Sequence, residues 1–173
     1  MRLLLLAACS TLLCGCLGYP DNVEPVEGFE LPRYLGKWYE IARLDHSFER
    51  GLQNVTAQYS QQDDGSVKVV NQGFDTNSGN WNTAEGIAHF VESPATGYLK
   101  VSFFGPFYGS YVVFELDKND YEYAFVTGPS HSYLWLLSRT PRVSADLKEH
   151  FIATADKLGY NTQNLIFVDH SAR

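Results

Sequence analysis

The chain has no cysteine after residue 16, because Cys9, Cys14 and Cys16 are its only three. A fold built from the later residues therefore has no internal disulfide and must be stable through its core alone. With 173 residues, 45% of them hydrophobic, the chain is long enough for one domain with a sizeable core.

An excess of basic residues is also missing. Lys and Arg together number 13 against 20 Asp and Glu, and the formal net charge is −7. Binding to nucleic acid phosphates needs a basic face, so we expect no nucleic acid partner. The same charge disfavours electrostatic adhesion to anionic lipid, so any membrane attachment has to be hydrophobic.

No apolar run is long enough to cross a membrane as a helix. Residues 3–13 are mainly apolar and follow Arg2, as in a secretory signal. Leu13–Cys16 resembles the lipobox of bacterial lipoproteins, where cleavage precedes a cysteine that becomes acylated. We expect residues 1–15 to be a signal peptide and Cys16 to be lipidated. The alternatives are an ordinary secretory signal, or a box ending at Cys9, which leaves too few residues before it.

Residues 16–32 contain three prolines and show no hydrophobic period, so we interpret them as a lipidated N-terminus and tether. Leu17 follows the cysteine where an aspartate would resemble an inner-membrane retention signal. We therefore expect an anchor of several acyl chains in the outer membrane, facing the periplasm. Residues 33–173 are left for the folded domain.

From Gly36 onward, short alternating segments separated by turn residues predict an all-β domain. Val55, Ala57 and Tyr59 share one face, and Asp63-Asp64-Gly65 suits a hairpin turn. Short links between successive strands indicate an antiparallel up-and-down meander. The eight predicted strands are 38–43, 54–60, 67–71, 81–91, 99–103, 111–116, 121–127 and 133–139.

One helix is predicted after Pro141, capped by Ser144 and stopped by Gly159, with a ninth strand at 164–168. The last two of the eight strands are apolar on both faces, so each face must pack against another apolar surface. The helix can cover the outside. The interior of a closed eight-stranded barrel, just wide enough for one small ligand, is the other cover.

Gly36 and Trp38 form a G-x-W that resembles the first motif of the lipocalin family. Arg139 resembles the arginine of the third motif, which packs across that tryptophan at the barrel floor. The middle motif is only loosely met by residues 116–121. The resemblance runs from Leu31 to His170 and implies an eight-stranded antiparallel barrel with one C-terminal helix and a short ninth strand.

Residues 48–52 (FERGL) and 103–109 (FFGPFYG) resemble the bacterial outer-membrane branch of this family. The resemblance implies a membrane-anchored carrier of lysophospholipids or fatty acids that serves membrane maintenance or stress. It implies no cofactor. The alternatives are a carrier of another small hydrophobic ligand and a structural envelope protein whose barrel is filled by side chains.

The turn within residues 103–109 is rich in aromatic side chains, which is unusual because turns usually lie in water. Successive hairpins alternate between the two barrel ends, which puts this turn at the mouth, and Phe104, Phe107 and Tyr108 form an aromatic rim there. The rim can guide an acyl chain, rest on a bilayer or contact a second copy in a homodimer. Alternatively, it folds inward as a plug. The predicted mouth links are 45–53, 75–80, 105–109 and 128–132.

Strand parity, starting from an inward Trp38, predicts the cavity wall. The wall is apolar with a few polar groups, as suits a lipid with a head group; ordinary core packing is the alternative. Glu40 is the unusual member, because a buried carboxylate needs a partner, either a tyrosine in the barrel or a ligand group. The predicted ligand-binding residues are Glu40, Ala42, Val55, Ala57, Tyr59, Val69, Asn71, Phe90, Val101, Phe103, Tyr111, Val113, Val126, Tyr133 and Trp135, with Ala88 beside them.

Catalytic and metal-binding residues are not predicted. The five histidines are scattered without metal-ligand spacing. His46 and His131 each precede a serine in a mouth link, but no nucleophile motif surrounds Ser47 or Ser132. A binding protein is therefore favoured over an enzyme.

Overall fold

The computed structural model describes residues 17–171. Its first eight strands form an antiparallel meander in which β1 pairs with both β2 and β8, so the sheet closes into a barrel. The predicted eight-stranded up-and-down barrel is confirmed. The strands are β1 Gly36–Arg43, β2 Leu52–Gln61, β3 Val67–Asp75, β4 Asn80–Phe90, β5 Tyr98–Phe104, β6 Phe107–Leu116, β7 Tyr123–Thr127, β8 Leu134–Ser138 and β9 Ile166–Phe167.

The predicted C-terminal helix is α2, Ala145–Lys157, and a 3₁₀ turn, Thr162–Asn164, connects it to β9. Ser144 Oγ accepts a hydrogen bond from the Leu147 amide at 3.2 Å and caps the helix. Phe151 is fully buried, with its ring centre 4.9 Å from that of Phe125. The helix therefore covers the outer face of the barrel, as the two-sided apolar strands require. No helix within residues 17–171 is long and apolar enough to cross a membrane.

The barrel floor is closed by Trp38 and Arg139. The guanidinium carbon of Arg139 lies 3.9 Å from the centre of the fully buried Trp38 ring, which confirms the predicted contact. Arg139 Nη1 donates to the Lys37 carbonyl at 3.0 Å. Gly36 has φ +95°, where a side chain would be strained, and this backbone turn places Arg139 Nη1 3.5 Å from where a Cβ would lie.

The segment before the barrel is not a free tether, contrary to the sequence interpretation of residues 16–32. Val23 and Phe29 are buried. The Val26 amide donates to the Val113 carbonyl at 2.8 Å, and a short helix, α1 Leu31–Tyr34, leads into β1. Because the barrel base dictates which side chains are buried, the segment carries no period of its own.

Strand β1 contains an irregularity that interrupts the alternation of its side chains between the inner and outer faces of the barrel. Its pairing with β8 shifts between Glu40, opposite Leu137, and Ala42, opposite Leu136. Ile41 and Ala42 therefore both pack in the outer cluster that contains Phe151. A β-bulge of this kind moves the following side chain to the other face of the sheet.

Candidate ligand-binding cavity

A cavity of about 650 Å³ occupies the barrel, which is within the range of small-molecule sites. All eight barrel strands contribute to its wall, which is mainly apolar. Twelve of the fifteen predicted wall residues line it, and their role in binding stays a prediction. They are Glu40, Val55, Ala57, Tyr59, Val69, Asn71, Val101, Phe103, Tyr111, Val126, Tyr133 and Trp135, with Ala88 beside them.

Three predicted wall residues do not line the cavity. Ala42 lies in the outer cluster because of the bulge in β1. Phe90 packs against Phe29, with ring centres 6.1 Å apart, and fully buried Val113 accepts a backbone hydrogen bond from Val26. These last two were assigned to the cavity because parity takes no account of the N-terminal segment that fills the base.

The N-terminal segment also supplies wall residues that the sequence analysis missed. Phe29, Leu31 and Tyr34 line the deep end of the cavity. At the open end, Glu49 and Leu52 line it as well. In the sequence these residues stand out only as apolar or acidic residues in segments that do not alternate like a strand. Without alternation, the sequence does not show whether a side chain points into the barrel.

Three tyrosines form a hydrogen-bonded chain in the cavity. Tyr34 and Tyr59 each place their hydroxyl near that of Tyr111, at 2.7 and 2.9 Å. Burial raises the pKa of all three hydroxyls, so they stay protonated at neutral pH. Asn71 also lines the cavity, and its buried Oδ1 has no hydrogen-bond partner among the described residues. These groups give an apolar wall a few polar points.

Glu40 has a different partner from either predicted one. Its Oε1 accepts a hydrogen bond from Arg43 Nη1 at 2.7 Å, and both side chains are almost completely buried. The neighbouring Glu49 carboxylate accepts from Trp135 Nε1 at 3.0 Å. Burial, together with the charge of Glu49, raises the pKa of Glu40 well above its ordinary value, and burial also raises the pKa of Glu49.

The aromatic rim lies at the cavity opening, as predicted. Phe104 and Phe107 are opposite each other in the β5–β6 hairpin, 81% and 62% exposed, and both border the cavity with Tyr108. Phe48, in the link between β1 and β2, is also 62% exposed. Because Phe104 and Phe107 project into solvent, the plug interpretation is wrong.

His46 and His131, the two histidines in mouth links, contact groups other than the serines that follow them. His46 stacks on Tyr133 with ring centres 4.8 Å apart, and burial lowers its pKa to about 4. His131 Nε2 lies 2.9 Å from the Leu158 carbonyl and 3.2 Å from Asn22 Oδ1. Among residues 17–171, no group of three or more His, Cys, Asp or Glu residues is arranged to hold a metal ion.

Residues 29–170 match the family described as the lipocalin-like domain. The chain belongs to the lipocalin family. It is 58% identical to the outer membrane lipoprotein Blc of Vibrio cholerae serotype O1 over 168 residues, covering 97% of this chain and 98% of that protein. It is 47% identical to the Blc of Escherichia coli K12, with 97% of each covered.

These relatives confirm the predicted resemblance to bacterial outer-membrane lipocalins and the expected location at the outer membrane. Among solved structures, insecticyanin of the tobacco hornworm Manduca sexta matches with a TM-score of 0.70. At 23% identity, covering 89% of this chain and 87% of that one, this likeness shows the lipocalin barrel as a fold. Proteins of this family and fold typically bind or transport small hydrophobic molecules rather than catalyse reactions.

Proposed function

We propose that this lipocalin binds single-chain lipids, lysophospholipids or fatty acids, in the bacterial envelope and serves membrane maintenance or stress. Acyl chains on Cys16 hold it to the outer membrane, facing the periplasm. The observation that carries the proposal is the open cavity of about 650 Å³ with a mainly apolar wall. Such a cavity fits one acyl chain, and its mouth leaves room for a head group.

The energetics are adequate for reversible binding. Removing about fourteen methylenes from water at about 0.8 kcal/mol each contributes about 11 kcal/mol. Association costs about 4–15 kcal/mol, which leaves at best about 7 kcal/mol, an affinity in the low micromolar range. This strength suits a carrier that must also release its ligand.

The aromatic rim supports uptake from a bilayer. Phe104 and Phe107 are large apolar side chains exposed beside the opening, where an acyl chain would enter. Exposed aromatic side chains of this kind favour the interface between water and lipid. A contact with a second copy of the chain is the competing use of the same surface.

Native mass spectrometry of a secreted form tests the proposal. A conventional signal peptide replaces residues 1–15 and serine replaces Cys16, so that the folded part is retained without an anchor. After delipidation, lysophospholipid and fatty acid are added in competition. We expect a one-to-one adduct with at least one of them, on a monomer or a dimer that the same spectrum identifies. Absence of both adducts would overturn the proposal and favour a carrier of another ligand or a structural protein.

A further inference from the structure

The charge of the cavity wall is of one sign. Within the described residues 17–171, the charged side chains that line the cavity are the carboxylates of Glu40 and Glu49, and no lysine or arginine lines it. A wall with carboxylates alone repels an anionic head group and attracts a cationic one. The wall therefore discriminates between lipids with the same chain and different heads.

One arginine, Arg43, contacts both of these glutamates. Arg43 Nη1 contacts Glu40 at 2.7 Å, while its Nη2 donates to the backbone carbonyls of Glu49 and Leu52 at 2.9 and 3.1 Å. The Glu49 carboxylate accepts instead from a neutral donor, the Trp135 indole, at 3.0 Å. The Glu40 and Glu49 side chains also hydrogen-bond to each other, so the buried cluster has two acids, one arginine and a proton between the acids. A cationic ligand group would take the place of that proton.

Aromatic side chains line the cavity near Glu49, whose backbone carbonyl, rather than its carboxylate, accepts a hydrogen bond from Arg43. Phe48, Tyr133 and Trp135 all line the cavity. The His46 ring stacks on Phe48 and Tyr133, with ring centres 5.2 and 4.8 Å apart, and is tilted against Trp135 at 4.9 Å. His46 is buried, and its Nε2 has no hydrogen-bond partner among the described residues. Ring faces beside a carboxylate are the chemistry that binds ammonium and quaternary ammonium groups.

The cluster also lies at the right depth. Phe48 and Glu49 are in the mouth link between β1 and β2, whereas Tyr34 and Phe29 mark the closed end. An acyl chain directed toward the closed end leaves its head at the level of Glu49. This argument rests on the proposed function, because it assumes a chain in the barrel.

We propose that Glu49, supported by Glu40 and the rings of Phe48, Tyr133 and Trp135, forms a subsite for a positively charged nitrogen of the ligand head. The subsite takes a choline-like or ethanolamine-like group and disfavours a free carboxylate. The competing account is that the proton shared by the two glutamates stays in place when a ligand binds, so that Arg43 alone balances the cluster and no head-group preference follows.

Three amphiphiles with one chain length and different heads test the subsite: tetradecyltrimethylammonium, myristate and uncharged monomyristoylglycerol. Each displaces a fluorescent lipid from the secreted form below its micelle concentration. We expect the cation to bind about tenfold or more tighter than myristate, with the uncharged lipid between them. Glu49→Gln keeps the size and an acceptor for Trp135, and it should reduce this ratio to near one.

Glu149→Gln is the matched control, because this exposed glutamate on α2 gives the same change in net charge away from the cavity. It should leave the ratio unchanged. Phe48→Leu, at an exposed position, tests the aromatic part without risk to the core and should lower the ratio in part. Equal affinity for cation and myristate, or a ratio that survives Glu49→Gln, would overturn the subsite. Failure of all three lipids to bind the unsubstituted protein would instead overturn the proposed function.

Discussion

The guanidinium of Arg139 stacks on the indole of Trp38, 3.9 Å from its centre, and ties three backbone segments together at the barrel floor. Its nitrogens donate to the carbonyls of Arg33, Lys37 and Tyr121 at 2.6, 3.0 and 3.2 Å. These carbonyls come from α1, β1 and the approach to β7. One side chain therefore joins elements that are far apart in the sequence.

Replacement of Arg139 should weaken the fold without removing the binding site. Arg139→Met keeps part of the stacking but leaves the carbonyls without their charged donor, so we expect a loss of about 2–4 kcal/mol in the free energy of unfolding. Urea denaturation of the secreted form measures this loss. Lipid affinity should change little, because Arg139 does not line the cavity. A stability within about 0.5 kcal/mol of the parent would show that the floor does not depend on this contact.

Removal of Arg43 should have a larger effect that depends on pH. Arg43→Met leaves the buried carboxylates of Glu40 and Glu49 without their cation, which should cost about 3–5 kcal/mol at neutral pH. Because burial already raises both carboxyl pKa values, acidification protonates them in the folded variant and lowers this cost. We expect a smaller loss near pH 5 than near pH 8.

Arg50→Met is the control for Arg43, because exposed Arg50 forms a surface ion pair with Asp45. A surface pair contributes about 0–1 kcal/mol, so its removal should have little effect at either pH. Equal losses for the two arginine variants would contradict the buried-cluster interpretation.

His46 should make stability fall on acidification. Burial lowers its pKa from 6.5 to about 4, so between these values the unfolded chain binds a proton that the folded chain does not. Stability from this group therefore rises with pH across that window and is constant above it. His46→Phe preserves a ring for stacking and removes the titration. The difference in stability between parent and variant should shift in favour of the parent as pH rises from about 4 to 6.5. A constant difference would contradict the lowered pKa.

The anchor on Cys16 stays a prediction, because this residue lies outside those that the structure describes. In the full-length chain, Cys16→Ser should abolish acylation and, with it, cleavage before residue 16. The mass of the mature parent should exceed that of residues 16–173 by several acyl chains, whereas Cys9→Ser should leave both location and modification unchanged. Cleavage before residue 16 in the Cys16→Ser variant, or a parent protein without acyl chains, would contradict the lipobox.

Much of the barrel could be predicted because local patterns determine it. Alternation in β2 places Val55, Ala57 and Tyr59 on the inner face, and the structure places all three on the cavity wall. The same parity was wrong at Ala42, because a bulge depends on how β1 pairs with β8 rather than on the residues of β1 alone.

Contacts between distant segments were the part that sequence patterns could not supply. Phe29 and Val23 belong to an irregular segment whose burial is decided by the barrel base. The partner of Glu40 is three residues away in the sequence, yet only the bulge directs Arg43 back toward it. In contrast, Arg139 and Trp38 were paired correctly because the family resemblance supplied the long-range contact.

The most direct test of lipid binding inside the barrel compares two tryptophan substitutions at neighbouring residues of β2. Ala57 lines the cavity, whereas Gln58 is exposed on the outer face. Ala57→Trp should fill the space of an acyl chain and reduce lysophospholipid or fatty acid affinity by about a hundredfold or more, while Gln58→Trp should bind like the parent. Calorimetric titration, with circular dichroism to verify folding, measures both. If folded Ala57→Trp protein bound these lipids as tightly as Gln58→Trp, the ligand would not occupy the barrel and the central claim would be wrong.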